Sequence, residues 1–299
     1  MKGRIVVVIL LVAVAAFAGQ WVNRARSPRV VKQEETRQTF RLEPGARIEV
    51  HAVNGSVEVT TGETDTVEVH IVRTAESADD LEYGRVTVEG SSSYLSVQGE
   101  SSSGRGLWHW LQGGGSVRQD VTLTVPRRVE LLASHINGQV RIGEIDGSVE
   151  VTHINGRVEV AQSAGRAEVG HVNGNVKFGF SPSGEQGLDV SHVNGNIEIR
   201  LKQLVNADIE VERQNGSLSL NVPNVTMQER ESRSNTRARL GEGGTPFQIS
   251  HVNGNVRFES DAPAAASATN TAAVIHVPVA TDGDNEPMAP PSPPAPLPR

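Results

Sequence analysis

The chain has 299 residues, 30 of them Gly and none Cys, with 4% aromatic side chains and a formal net charge of −7. The lack of Cys excludes a disulfide framework and any thiolate metal site. The acidic balance argues against non-specific nucleic-acid binding, which needs a basic surface, and abundant Gly with few aromatics suits a turn-rich, all-β construction.

Lys2 and Arg4 precede an unbroken apolar run from Ile5 to Ala18, and Ala16-Phe17-Ala18 supplies the small-x-small pattern of a secretory cleavage site. The run is shorter than the roughly 20 residues a spanning helix needs. Trp21 nevertheless sits where an interfacial aromatic would, with Arg24, Arg26 and Arg29 close behind. Residues 1–21 are therefore expected to be a signal peptide or an N-terminal membrane anchor. Either makes the chain an exported one: periplasmic, membrane-anchored or on the cell surface. The polar residues 22–38 read as a linker.

From residue 39 the pattern is β. Ile48 and Val50, Val57 and Val59, Val67 and Val69, Val86 and Val88, and Val121, Leu123 and Val125 mark strands, and Asn54-Gly55 marks a turn. One short helical or turn segment is expected over Ala75 to Tyr83. The segment 101–116 then sets Trp108 and Trp110 between Gly/Ser flanks. These two are the candidate ligand-binding residues, since aromatics on a mobile loop offer a contact patch to a glycan or protein. Alternatively they cap an open end of the β structure.

Beyond this, His-(Ile or Val)-Asn-Gly occurs five times, starting at His135, His153, His171, His192 and His251. Asn137, Asn155 and Asn173 are 18 residues apart, Asn194 and Asn215 follow at 21, and Asn253 at 38, close to two further units. Asp146-Gly147 and Ala164-Gly165 fall midway, so nine residues make one stroke and two strokes one unit. Apolar residues sit first, fifth and seventh in a stroke (Ile136, Val140, Ile142; Ile154, Val158, Val160), with Arg141, Glu150, Glu159, Glu168, Lys177, Glu198 and Arg257 between them. That alternation is the period-two mark of a strand with one buried face, and β-branched side chains suit it.

Two architectures use such strands. Asn-Gly is the strongest short-range signal for a two-residue hairpin, so an antiparallel β-meander is the alternative. In a meander, however, Ile145 would face away from Val140 and Ile142, alongside Arg141, and Ile154 would lie alongside Glu150. A parallel β-solenoid with about 18–21 residues per coil turns a corner at Asn-Gly and brings all three apolar positions inward, stacking like residues at about 4.8 Å. Asn137, Asn155 and Asn173 then pass side-chain amide hydrogen bonds from rung to rung, each contributing about 0.5–1.5 kcal/mol.

The same stacking sets His135, His153 and His171 one rung apart, near enough for two or three imidazoles to share Zn²⁺ or Ni²⁺ at about 2.0–2.1 Å per bond. No carboxylate column accompanies them; Glu144 and Gln162 take the equivalent place in alternate strokes. An outward polar ladder without metal is the expectation, these three being the weak candidates, and no cofactor is implied. Arg230, Arg233, Arg237 and Arg239 read as a solvated loop within the 38-residue gap. Residues 261–299, Ala-rich and then Pro-dense, cannot bury enough apolar surface to order themselves and read as a disordered tail, leaving 39–260 as the domain.

The ordered set VNGSVEV, VTLTVP followed by VELLASHINGQVRI, successive NG turns and a late GEGGTPFQISHVNGNVRF resembles the bacterial putative-adhesin β-strand-repeat proteins of unknown function, over about residues 40 to 259. The resemblance implies a β-helix-like fold, export or membrane tethering, and no catalytic residues. The chain departs from that pattern in placing His before so many NG turns, so a role for His has no support from the resemblance.

A non-enzymatic envelope module that adheres to a protein or glycan through its faces fits these features best. A self-assembling structural scaffold is the alternative. A polysaccharide-processing enzyme is a third class, but the outward charges form regular single rows without paired carboxylates, and no GxSxG, HExxH or phosphate loop occurs.

Overall fold

The computed structural model describes residues 11–13, 32–100, 117–181, 186–232, 235–261 and 275–277. Strands β1 (Leu11–Ala13), β2 (Lys32–Arg41), β3 (Ala46–His51), β4 (Val57–Gly62) and β5 (Thr66–Ala75) precede a short helix, α1 (Ala78–Tyr83). After it come β6 (Val86–Gly90), β7 (Tyr94–Gly99) and β8 (Arg118–Pro126). The repeats supply β9 (Val129–Ile136), β10 (Val140–Ile145), β11 (Val149–Asn155), β12 (Val158–Ser163), β13 (Ala167–Asn173), β14 (Val176–Phe180), β15 (Leu188–Asn194) and β16 (Ile197–Leu201). The remainder is β17 (Ala207–Asn215), β18 (Leu218–Asn221), β19 (Val225–Ser232), β20 (Asn235–Leu240), β21 (Thr245–Asn253), β22 (Val256–Ser260) and β23 (Ile275–Val277).

The protein is all-β, and among the described residues its strands form two mixed sheets. One has twelve strands in the order β1-β2-β5-β8-β4-β10-β12-β14-β16-β22-β18-β23, the other eleven in the order β19-β20-β17-β21-β15-β13-β11-β9-β3-β7-β6. Sequence neighbours such as β9 and β10 lie in different sheets. From β9 to β14 each repeat strand pairs in parallel with the strand two further along: Val140 with Val158 and Ile142 with Val160, then Val158 with Val176 and Val160 with Phe178. Val149, Val151 and Ile154 are buried while Glu150 between them is only half-covered, so the alternation read from sequence is the alternation of burial. Both sheets point their apolar rows at one continuous core in which Ile145, Val151, Phe178 and Phe258 are fully buried. Full burial of such a side chain contributes about 1.5–3 kcal/mol.

The two strokes of a unit, for example β11 and β12, make one rung, and the chain rounds the corner at Asn-Gly. At Gly156, φ is +156°, and a Cβ there would run into the carbonyl oxygen of Gly138 on the rung below, so only Gly fits the close stacking of corners.

Chain order and spatial order part company at both ends. The β3–β4 rung lies between the β7–β8 and β9–β10 rungs, and β21–β22 lies between β15–β16 and β17–β18. At each end the parallel stack passes into antiparallel strands: β2, β5 and β8 with β6 and β7 at one, β17, β20 and β19 at the other. Antiparallel cover of this kind keeps the terminal parallel strands from offering an open edge.

Three expectations change in detail. Lys32 to Gln38, read as linker, is already strand, paired antiparallel with β5 from Lys32–Ala75 onward. The region around Arg237 and Arg239, read as a loop, is strand β20, because Thr236, Ala238 and Leu240 point inward between the arginines. The helical segment is confined to α1, whose N-cap Ser77 accepts a hydrogen bond from the Asp80 backbone N–H at 3.1 Å.

Candidate functional site

Every His-x-Asn-Gly corner repeats the same local geometry. His135, His153, His171, His192 and His251 all have φ between 54° and 56°, a left-handed conformation that costs L-residues energy but that Asn, Asp and His enter more readily than other side chains. This kink sends the next residue, Ile136 or its counterparts Ile154, Val172, Val193 and Val252, into the core, and leaves the imidazole outside. Two residues on, the Asn side chains form one chain of amide hydrogen bonds. Asn215 donates to Asn253 (3.1 Å), Asn253 to Asn194 (3.2 Å), Asn194 to Asn173 (3.2 Å), Asn173 to Asn155 (3.3 Å), Asn155 to Asn137 (3.0 Å) and Asn137 to Asn54 (3.2 Å). A second ladder follows the glycines: Asn175, Asn196 and Asn255 each accept, at 3.0 Å, the backbone N–H of the residue on the next rung.

The five imidazoles stack as a column. Successive ring centroids from His135 through His153, His171 and His192 are 4.6 Å apart with interplanar angles of 4°, 1° and 2°, and His251 follows at 4.5 Å and 5°. Arg213 occupies the same left-handed position one rung further, with φ 49°, and its Nη1 lies 2.8 Å from Nε2 of His251. At the opposite end Ala52 takes the left-handed place, and His51, one residue earlier, tilts 59° from the His135 ring and meets Ser134 Oγ through Nδ1 at 2.8 Å. Desolvation, and then the charge of the neighbouring imidazoles, pushes His153 and His192 below the usual histidine range.

His135, His153 and His171 are thus brought together. Parallel rings one rung apart aim equivalent nitrogens in the same direction, whereas a shared ion needs lone pairs that converge at about 2.0–2.1 Å. Among the described residues no group of three or more His, Cys, Asp or Glu is arranged to hold a metal ion. Trp108 and Trp110 lie outside the described residues, as do Arg233 and nearly all of 1–31 and 262–299. Arg237 and Arg239 do not form a free basic patch: Arg237 pairs with Glu210 at 2.7 Å and Arg239 with Asp208 at 2.8 Å. His192 and His251 complete the column beyond the three candidates, and Arg213 was legible as its end, since Arg213-Gln214-Asn215-Gly216 has the spacing of His-x-Asn-Gly.

The outer faces of the two sheets differ. On the twelve-stranded sheet one row reads, in spatial order, Glu58, Arg141, Glu159, Lys177, Glu198, Arg257, each residue in register with the next. The sign alternates at every rung. Beside it run the small residues Gly143, Ala161 and Gly179. On the eleven-stranded sheet Glu150, Glu168 and Asp189 stack in consecutive rungs. Two residues along each strand, Ser134, Thr152, Gly170, Ser191 and Ser250 form a largely hydroxyl row that borders the imidazole column.

No family model and no curated protein matches the sequence. Among solved structures, the chain is similar to a putative cell adhesion protein from Clostridium sporogenes ATCC 15579, at 10% identity and a TM-score of 0.40, with 76% of this chain and 100% of that one covered. It is also similar to putative adhesins from Bacteroides fragilis NCTC 9343 (11% identity, TM-score 0.29, 75% and 96% covered) and Parabacteroides merdae ATCC 43184 (10% identity, TM-score 0.24, 76% and 95% covered).

Proposed function

We propose that this chain is a non-enzymatic cell-envelope protein, exported through its N-terminal segment, whose domain is an adhesin-like β-solenoid that binds a surface ligand, protein or glycan, along its faces. The observation that carries the reading is the in-register stacking of like side chains: carboxylates, hydroxyls and imidazoles each recur at the same place on consecutive rungs. Rows that repeat about every 4.8 Å suit a repetitive partner, because many weak contacts held by one rigid body add into useful avidity. Catalysis asks for the opposite arrangement, unlike groups converging on one reacting atom. The apolar run from Ile5 to Ala18 behind Lys2 and Arg4 supports export.

The test is to express the tagged full chain in a bacterium, fractionate the cells, sequence the mature N-terminus, and incubate the purified protein with isolated envelope polysaccharide. Recovery in the envelope fractions with saturable binding and no release of reducing sugar is expected. Confinement to the cytoplasm, or liberation of oligosaccharide, would overturn the proposal.

A further inference from the structure

The alternating row on the twelve-stranded sheet has a property that its members lack singly. Glu58, Arg141, Glu159, Lys177, Glu198 and Arg257 stand on six consecutive rungs with signs that alternate strictly. An alternating row with an even number of members is its own complement when reversed. Opposed to a second copy turned about an axis parallel to the strands, Glu58 meets Arg257, Arg141 meets Glu198, and Glu159 meets Lys177, each pair occurring twice. The flanking rungs oppose Thr122 to Ser219, which are neutral.

We infer that this face joins two copies of the chain in an isologous, antiparallel, face-to-face dimer. The neighbouring row permits the approach. Under the same axis Ala161 opposes Gly179, Arg200 opposes Gly143 and Glu259 opposes Thr60, so small residues receive the long ones and no like charges meet. On the other side of the charged row Arg157 opposes Asn175. Turning the copy about the stacking axis instead would set Glu58 on Glu58 and Arg141 on Arg141, so the charges select one orientation. A polymer of uniform charge is opposed by every second rung, which leaves the reversed copy as the partner of fitting chemistry. From rung to rung the row is only loosely paired, as at Lys177 and Glu198, 3.8 Å apart. Along their own strands Glu198 accepts from Arg200 Nε at 2.6 Å and Arg257 lies 3.7 Å from Glu259, so the charge most open toward the partner is that of Glu58, Arg141 and Glu159.

Six rungs at about 4.8 Å by five residues at about 3.3 Å give a face of roughly 500 Å² per copy. The total of about 1,000 Å² lies at the lower bound of specific interfaces, so the dimer is weak and salt-sensitive.

The full chain in a non-ionic detergent is examined by sedimentation velocity over a concentration series at low and high salt, with thermal unfolding as the check on folding. Reversible dimerisation that weakens about tenfold or more at high salt is expected. Glu159→Lys sets Lys opposite Lys177, and Lys177→Glu sets Glu opposite Glu159, so each variant alone stays monomeric where the natural chain is half dimer. Mixed together, the two variants dimerise with one another, because every opposed pair is again of opposite sign. The N-terminal segment is common to all of them and cancels. A natural chain that is monomeric throughout, single variants that dimerise as it does, or a folded mixture that stays monomeric each overturns the inference.

Discussion

Arg213 donates through Nη1 to Nε2 of His251 across 2.8 Å, each residue holding a left-handed backbone at the same point of adjacent rungs. A guanidinium has no acceptor, so this contact requires a bare Nε2 and places the His251 proton on Nδ1. Long-range ¹⁵N–¹H correlation spectra near neutral pH should show that tautomer. Arg213→Ala should let His251 sample both tautomers. A protonated Nε2 in the natural chain would contradict the contact.

His171 sits at φ 54° with its ring outward, so what it must supply to the fold is tolerance of that backbone. His171→Asn keeps a residue that enters the left-handed region readily and is expected to change stability by less than about 0.5 kcal/mol. His171→Val places a β-branched residue there and should cost about 1–3 kcal/mol. Urea unfolding of the two variants measures the difference; equal midpoints would show that the corner is not constrained.

Asn155 both donates to Asn137 at 3.0 Å and accepts from Asn173 at 3.3 Å, while Asn215 ends the ladder with a single donated bond to Asn253 at 3.1 Å. At about 0.5–1.5 kcal/mol per bond, Asn155→Ala should cost about 1–3 kcal/mol and Asn215→Ala about half of that. Chemical denaturation of both variants tests the ratio. An Asn155→Ala chain as stable as the natural one would remove the ladder from the list of stabilising features.

That ladder also marks how much was legible in the sequence. The bonds from Asn155 to Asn137 and from Asn173 to Asn155 follow directly from the 18-residue period, as does the inward set Ile154, Val158 and Val160. The order of the last rungs does not. Asn253 stands 38 residues beyond Asn215 and reads as a later unit, yet it donates to Asn194, 59 residues earlier, and lies between the two. A repeat specifies which faces a rung presents, and since all rungs present the same ones it does not specify which rung lies next. The β19–β20 hairpin decides that by occupying the outer edge of β17 and leaving the chain to return inside it. For the same reason the strict charge alternation was hidden: along the chain Glu198 is followed by Ser219 and only then by Arg257, and only the spatial order puts Arg257 against Glu198. The pairing of Arg237 with Glu210 was masked by a run of arginines whose intervening Thr236, Ala238 and Leu240 carried the strand signal.

The imidazole column makes stability depend on pH in a definite direction. His153 and His192 have folded-state values below the ordinary one, through desolvation first and then through repulsion from His135 and His171, or from His171 and His251. Between the depressed folded value and the unfolded value of about 6.5, the unfolded chain binds more protons than the folded one, so stability rises with pH across that window. The contribution is complete above about pH 6.5 and is lost as pH falls through the folded values. Both rings are largely exposed, so added salt should flatten the dependence by screening the repulsion. Replacing His153 and His192 with Asn removes both titrating groups while preserving left-handed tolerance, and should flatten the same stretch of the curve. Thermal unfolding of the natural and doubly substituted chains from about pH 5 to about pH 8 gives the comparison. An undiminished slope in the substituted chain would show that the acid sensitivity lies elsewhere than in the stacked histidines.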